Sequence, residues 1–420
     1  MEGYRHSVLL DKDKCTGCTT CLQHCPTEAI RIVDGKARID SDRCIDCGEC
    51  IRRCPHQAKK ASAGSLENMQ RFRYKIALPA PSLYAQFDNL DDIDYVLNGL
   101  KKIGFDEVFE VSKAAEFVSE YTRRYIRTEG IRLPVISSAC PVVVRLINLL
   151  FPSLSESIIH LHPPVEVAAR MAKKRAMEAH PELTEEEIGV CFISPCPGKV
   201  SYVSNYKELY DLHIDEVVPI SDVYFLLINA MKREEAIESL SESGMIGVGW
   251  ASSGGESTAI LNEGYLAADG IDNVIRVLNQ IEDGNIPPVN FIELNACPGG
   301  CVGGVMTVQN PFISKSRLQS LRRYLPVSMN RMPEGERYIP QEAFFNKIEE
   351  FAPERRLGSS MAESMRMMSD IQRLKNMLPG IDCGACGAPT CRAHAEDIVR
   401  AGGQEPDCPI LKARMLSEGK

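Results

Sequence analysis

Cys15, Cys18, Cys21 and Cys25 return as Cys44, Cys47, Cys50 and Cys54, every one displaced by the same 29 residues, and each run closes on a proline, Pro26 or Pro55. Equal offsets at four positions mark a duplicated unit. The spacing Cys-x2-Cys-x2-Cys-x3-Cys-Pro lets three thiolates come from one loop whose backbone N–H groups face an inorganic sulfide, and thiolates are the soft ligands that iron–sulfur clusters take. Two 4Fe–4S clusters are therefore expected. In this spacing the fourth cysteine of each run serves the other cluster. Cys15, Cys18, Cys21 and Cys54 are assigned to one cluster, and Cys44, Cys47, Cys50 and Cys25 to the other. Zinc sites built from cysteine pairs do not have this form. Between the runs, Ile30–Val33, Asp34-Gly35 and Ala37–Ile39 predict a short hairpin.

The remaining nine of the 17 cysteines lie far along a chain of 420 residues. Disulfide scaffolds are short and secreted. This chain is long, and its start lacks the apolar stretch of a signal peptide. No run approaches the ~18 apolar residues of a membrane span, and the most apolar stretch, from Pro141 to Pro152, is interrupted by Arg145 and Asn148. A cytoplasmic protein with reduced thiols is expected, in which clustered cysteines bind metal or do redox work. A net charge of −9 provides no overall positive field for phosphates, so no nucleic-acid partner is expected, and no membrane.

Basic residues gather between His56 and Lys75, read as a linker with a solvated charged face. From 75 to about 345, apolar runs alternate with helix-length amphipathic segments. The strand candidates are Lys75–Leu78, Glu107–Val111, Pro134–Ser137, Gly189–Ile193 and Phe291–Leu294, a pattern of α/β units with parallel strands. Three cysteine motifs each follow such a strand: Ser137-Ser-Ala-Cys140-Pro141, Ser194-Pro-Cys196-Pro-Gly-Lys199, and Glu293-Leu-Asn-Ala-Cys297-Pro-Gly-Gly-Cys301-Val-Gly-Gly304. Loops at the carboxyl ends of strands converge in open α/β sheets, so these four thiolates can hold one further cubane. Cys191 lies inside an apolar strand and reads as core. Ser359–Leu378 predicts a helix, capped by Ser360 and Glu363. Its Met361, Met365, Met368, Leu374 and Leu378 share a face, read as a packing face. The last four cysteines, Cys383, Cys386, Cys391 and Cys408, suit either an all-cysteine zinc site or a cubane.

The three central loops resemble those of the iron-only (FeFe) hydrogenases, the third loop most specifically, and the likeness extends over nearly the whole chain. The C-terminal stretch resembles the small four-cysteine 4Fe–4S domain appended to several redox proteins. The resemblance implies an N-terminal α+β two-cluster ferredoxin domain of bacterial type (1–58), a linker (59–74) and an α/β catalytic domain of two parallel-sheet lobes (75–350). A helical linker (351–380) and a small, mostly helical 4Fe–4S domain (381–420) follow. It also implies that Cys140, Cys196, Cys297 and Cys301 hold the H-cluster, a 4Fe–4S cubane joined through the cysteine matching Cys301 to a diiron subsite bearing CO, CN and a dithiolate bridge. Three further 4Fe–4S clusters complete the set, and 16 thiolates are used with Cys191 left over. Lys199 matches the lysine that hydrogen-bonds a cyanide ligand.

Several positions depart from the family pattern. Ala139 stands where a proton-shuttling cysteine is usual, Ser194 and Asn295 stand where methionines are usual, and the acidic relay positions fall near Thr122 and Tyr125. This combination resembles the sensory branch of the family, with dihydrogen bound and turned over slowly while electrons run through the cubanes. The implied partners are dihydrogen and protons, a redox or signalling protein, and the diiron maturation proteins. The alternative is a hydrogenase-like electron-transfer or assembly protein that holds only cubanes. His160 and His162 read as structural histidines, and the glycines from Gly247 to Gly255 as a loop lining the cluster pocket.

Overall fold

Asp34 and Gly35 both take positive φ, 51° and 70°, the backbone that a two-residue hairpin turn requires. The computed structural model describes residues 4–231, 237–261, 264–332, 338–345 and 357–417. In it, β1 (Val8–Leu10) is followed by β2 (Ile30–Val33) and β3 (Lys36–Ile39), which form the expected hairpin, with Ile30 opposite Ile39. The stretch 59–74, read as a linker, opens instead with β4 (Lys59–Ala61), which pairs antiparallel with β1, Leu10 opposite Lys59. A 3-10 turn, Leu66–Arg71, follows it.

The chain divides into two units. One comprises Met1–Ala61 and Glu350–Lys420, the other Ser62–Glu349. In the first unit the N-terminal repeat closes on its own small core, which includes Val8, Leu22, Ile30, Ala37 and Ala58. The helix Met361–Met377 packs through Ile371 and Leu374 on Ala395 and Cys408. Its start is capped as expected, with Ser360 Oγ accepting the Glu363 N–H at 3.2 Å, although the Glu363 carboxylate reaches back to Ser359 rather than Ser360. The methionine stripe is not a packing face: Met361, Met365 and Met368 are 80%, 68% and 50% exposed. Among the described residues of the helix and its end, Ile371, Leu374 and Leu378 are the buried apolar side chains. The domain boundary expected at 350/351 lies outside the described residues.

Among its described residues, the second unit holds seven strands in two parallel sheets. They are β5 (Tyr74–Pro79), β6 (Glu107–Val108), β7 (Val135–Ile136), β8 (Ile188–Ser194), β9 (Glu216–Pro219), β10 (Tyr265–Asp269) and β11 (Phe291–Asn295). One sheet has the order β6-β5-β8-β9 and the other β10-β11-β7. Every residue of β8 is buried, as a parallel strand covered on both faces demands. Its side chains alternate between two cores: Val190 and Phe192 join Ile76 and Leu78, while Cys191 and Ile193 join Ala77 on the other face. Cys191 is thus a core residue. Among the described residues, no helix is long and apolar enough to cross a membrane.

Candidate metal centre

Strands β7, β8 and β11 each end within a few residues of a cysteine. Helices Pro141–Leu150 and Pro197–Tyr206 begin directly after Cys140 and Cys196, each with proline at its first position, where the missing N–H costs nothing. Both cysteines are therefore N-caps, facing the positive end of a helix, which favours a thiolate. At Cys196 the Gly198 and Lys199 N–H groups bond the sulfur, yet burial outweighs them and pushes the thiol up to about 11. A cluster bound here must displace protons from these thiols.

Backbone bonds draw the loops together. The Ser137 N–H donates to the Ile292 carbonyl at 3.0 Å, and the Met306 N–H to the Pro195 carbonyl at 3.0 Å. The stretch 247–255 lies along the third loop, with Ser253 N–H on the Gly299 carbonyl (2.9 Å) and Val302 N–H on that of Ala251 (3.0 Å). At Gly300 the backbone has φ 93°, and a Cβ there would stand 2.4 Å from the Ser253 nitrogen, so only glycine permits this approach. Cys140, Cys196 and Cys297 are half-buried, and Cys301 keeps open surface within a densely walled position that still pushes its thiol well above the ordinary value. Lys199 is the cation of this group. Burial depresses its ammonium, and Cys196, Cys140 and Cys301 pull it back toward the charged form. Its Nζ lies 5.1 Å from the centre of the Tyr202 ring. Four thiols from three loops with one half-buried cation suit an anionic, sulfur-ligated group.

At Ala139 the side chain is a methyl, but the backbone N–H donates to Ser137 Oγ at 3.1 Å. That hydroxyl in turn donates to the carboxylate of Glu256, at 2.9 and 2.7 Å. Glu256 and Glu293 are both buried. Desolvation raises each carboxyl, and Glu293 raises Glu256 further. Glu293 is held by the N–H groups of Gly254 and Ser257 at 2.9 and 2.8 Å and by the amide of Asn295 at 2.8 Å. Two buried carboxyls that repel one another retain a proton where isolated ones would not. Sequence reasoning missed this pair; the available signal was a glutamate inside the otherwise apolar run Phe291–Leu294. The two positions where methionine was expected have local work: Ser194 Oγ accepts the Cys196 N–H at 3.3 Å, and Asn295 braces Glu293. Thr122 is buried, and Tyr125 packs 6.4 Å from the Phe344 ring. His160 and His162 flank Leu161, whose carbonyl accepts from Ser138 Oγ at 2.7 Å. Burial lowers both histidines, His162 to about 3, and neither ring nitrogen of His162 has a hydrogen-bond partner.

In the repeat, a small hollow is lined by Cys44, Cys47 and Cys50 together with Cys25. Cys21 feels the charges of Cys15, Cys18 and Cys54. Cys25 thus stands with the second run and Cys54 near the first. Ala29 N–H bonds Cys25 Sγ at 3.2 Å and Ala58 N–H bonds Cys54 Sγ at 3.3 Å, the same bond at the same place in each copy. A second small hollow is lined by Cys383, Cys386, Cys391 and Cys408. Among the described residues no three His, Cys, Asp or Glu side chains converge as they would round a single ion. These two sets stand round hollows, as thiolates bonded to separate corners of a cubane do.

The C-terminal set rests on the repeat. Gln23 Nε2 donates to the Cys383 carbonyl at 3.3 Å, and Ile32 N–H to that of Gly387 at 2.8 Å. Arg31 grips Asp397 through two bonds, and Arg43 reaches Glu396 at 2.9 Å.

Comparison with known proteins gives three family matches. The C-terminal domain of the iron-only hydrogenase large subunit matches residues 73–267 and 252–305. A 4Fe-4S dicluster domain matches 7–55, and an Fe–S cluster domain matches 378–410. The periplasmic Fe hydrogenase large subunit of Nitratidesulfovibrio vulgaris is 27% identical over 366 residues, spanning 71% of this chain and 86% of that protein. Among solved structures, the FeFe-hydrogenase HydA1 of Chlamydomonas reinhardtii is similar at 15% identity and a TM-score of 0.47, over 60% of this chain and 86% of that one. A HydA structure that reports stepwise H-cluster assembly is similar at 16% identity and a TM-score of 0.49, over 63% and 88%.

Proposed function

The chain belongs to the iron-only hydrogenase family, whose catalytic-domain signature it carries over more than half its length, and we propose that it is an FeFe-hydrogenase of sensory type with low turnover. The observation that carries this is the meeting of three loops around Lys199, with Cys140, Cys196 and Cys301 all bearing on its ammonium. Cys140, Cys196, Cys297 and Cys301 would hold the H-cluster. That group would supply the redox centre for heterolytic dihydrogen chemistry. Lys199 offers N–H donors and a positive charge to its cyanide.

The chain's own residues handle the proton. Ala139 cannot titrate, so the acceptor on that side is Ser137 Oγ, backed by the Glu256 carboxyl and then by Glu293. A hydroxyl must give up its own proton as it takes another, and the hydrogen bond from Ser137 to Glu256 is the partner that allows this. This route lacks a thiol of ordinary acidity, which supports slow turnover and an output read as the redox state of the clusters. Electrons would leave through the cubanes of the repeat and the C-terminal set. Gln23 follows Cys21 in the first motif and touches the Cys383 carbonyl, which supports exchange between the C-terminal cluster and that of Cys15, Cys18, Cys21 and Cys54. Dihydrogen, protons, a redox or signalling protein and the maturation proteins are the partners of this reading, and the cytoplasm its location.

The test is an infrared spectrum of protein matured with the diiron cofactor. Carbonyl and cyanide stretching bands are expected, with about 18 irons per chain, four cubanes plus the diiron pair. About 16 irons without those bands would refute the assignment.

A further inference from the structure

Within the described residues of the unit formed by Met1–Ala61 and Glu350–Lys420, two buried side-chain nitrogens have no hydrogen-bond partner: Lys59 Nζ and His394 Nε2. His394 lines the hollow shared by the four C-terminal cysteines. Lys59 is the unpartnered nitrogen of the repeat. It is 3% exposed, and a buried ammonium with no acceptor is among the least tolerated groups in a protein interior.

The fold dictates where this ammonium sits. Strand β4 starts at Lys59 and is fixed by its pairing with β1, with Asp11 N–H bonding the Ala58 carbonyl at 2.8 Å. The preceding residue, Ala58, gives its own N–H to Cys54 Sγ at 3.3 Å. Burial raises the thiols of both Cys21 and Cys50, and the charge of Lys59 pulls both back down. These are the third cysteines of the two motifs, and they belong to different sets. The position is asymmetric in the sequence, since no second lysine of the duplicate occupies the corresponding place: 29 residues earlier stands Ile30. One cation therefore serves two sets of thiolates.

We propose that Lys59 is a positioning residue shared by the two N-terminal clusters, its ammonium donating to sulfur of both and holding both reduction potentials up together. The inference rests on the cluster reading of the two sets. Reduction adds negative charge to a cluster, and a fixed positive charge beside it favours the reduced form. A charge placed between two clusters moves both the same way, so their difference in potential, which governs electron flow from one to the other, is left nearly unchanged. No proton needs to move for this effect.

The experiment uses the full chain reconstituted with iron and sulfide but without the diiron cofactor, followed by redox titration with electron paramagnetic resonance detection. In K59M, both N-terminal clusters should become harder to reduce, each by about tenfold or more in reduced-to-oxidised ratio at a fixed potential. The C-terminal cluster should not move. K59R, which keeps the charge, should stay near the unaltered protein. If K59M loses iron, K59Q provides a neutral side chain with hydrogen-bond donors and is read in its place. A shift in one N-terminal cluster only, or in neither with the iron retained, would overturn the proposal. A full chain that binds no clusters at the repeat before any substitution would instead refute the cluster reading itself.

Discussion

Substituting Gly387 by alanine should undock the C-terminal module from the repeat. Gly387 has φ 84°, and an added Cβ would stand 2.3 Å from the Ile32 carbonyl oxygen. That neighbour is backbone in strand β2 and cannot swing aside. The left-handed conformation costs a non-glycine residue about 1–2 kcal/mol. Displacing the strand also breaks the Ile32 N–H bond to the Gly387 carbonyl, worth about 1 kcal/mol. The total is roughly 2–3 kcal/mol. The ion pairs beside it do not compensate: Asp397 is 43% exposed at its side chain, and pairs so open to solvent contribute about 1 kcal/mol or less. Amide hydrogen exchange of Ile32 reads the docking directly. At about 1.4 kcal/mol per factor of ten, G387A should speed that exchange by roughly 30- to 140-fold, while the other strand of the hairpin stays protected. Unchanged exchange at Ile32 in G387A, with the C-terminal iron still bound, would refute the reasoning, because the clash would then be absorbed elsewhere.

Three further outcomes follow from the second unit. E256Q should lower hydrogen evolution by on the order of 10²-fold, the low end of what general acid–base help supplies, with the diiron infrared bands intact; an unaltered rate would remove Glu256 from the proton route. A139C should raise the rate by less than the full ~10²–10⁴-fold of such help, since Thr122 and Tyr125 still offer no carboxylate, and an unchanged rate would show that the missing thiol does not limit turnover. Glu110 is buried and raised by desolvation from 4.5 to about 7. Its folded pKa exceeds the unfolded one, so the stability it contributes is complete below pH 4.5 and is lost as the pH rises toward about 7. The stability difference between E110Q and the unaltered protein, measured by denaturant unfolding, should therefore change by about 3 kcal/mol across that window in favour of E110Q at higher pH. Parallel pH profiles would contradict this.

The cysteine sets were legible because cluster ligation is a local affair: the spacing that lets one loop hold three thiolates is written in consecutive residues. The parallel strands β5, β8 and β11 were legible for a similar reason, as short, mostly apolar runs. Strands β9 and β10 were not, because Glu216–Pro219 is short and ends in proline, and Tyr265–Asp269 mixes alanine with an acidic end. Strand β6 stops at Val108 although the apolar run continues to Val111, because the Glu110 carboxylate is engaged by Tyr84 and the Glu242 N–H and the next residue begins a helix. Periodicity showed that Met361, Met365 and Leu374 share a face but carries no information on what faces them. Glu256 is hidden for the same reason: Gly254-Gly255-Glu256-Ser257 reads as a loop, and only the tertiary fold sets its carboxylate against Ser137.

The pairing of Arg31 with Asp397 joins residues 366 positions apart, and this has a consequence for how the protein is made. Chains grow at about 5–20 residues per second, so the eight thiols of the repeat leave the ribosome roughly 20–70 s before Cys408 does. Through that interval strand β2 and its neighbouring arginines, Arg31 and Arg43, wait uncovered, and whatever delivers iron and sulfide meets the duplicated half of the unit alone. Contacts of such long range are also the slowest to form. The repeat is therefore exposed for a time before the C-terminal set can dock on it. A block on translation downstream of the central sheets should yield chains that have filled the repeat but left its docking edge open.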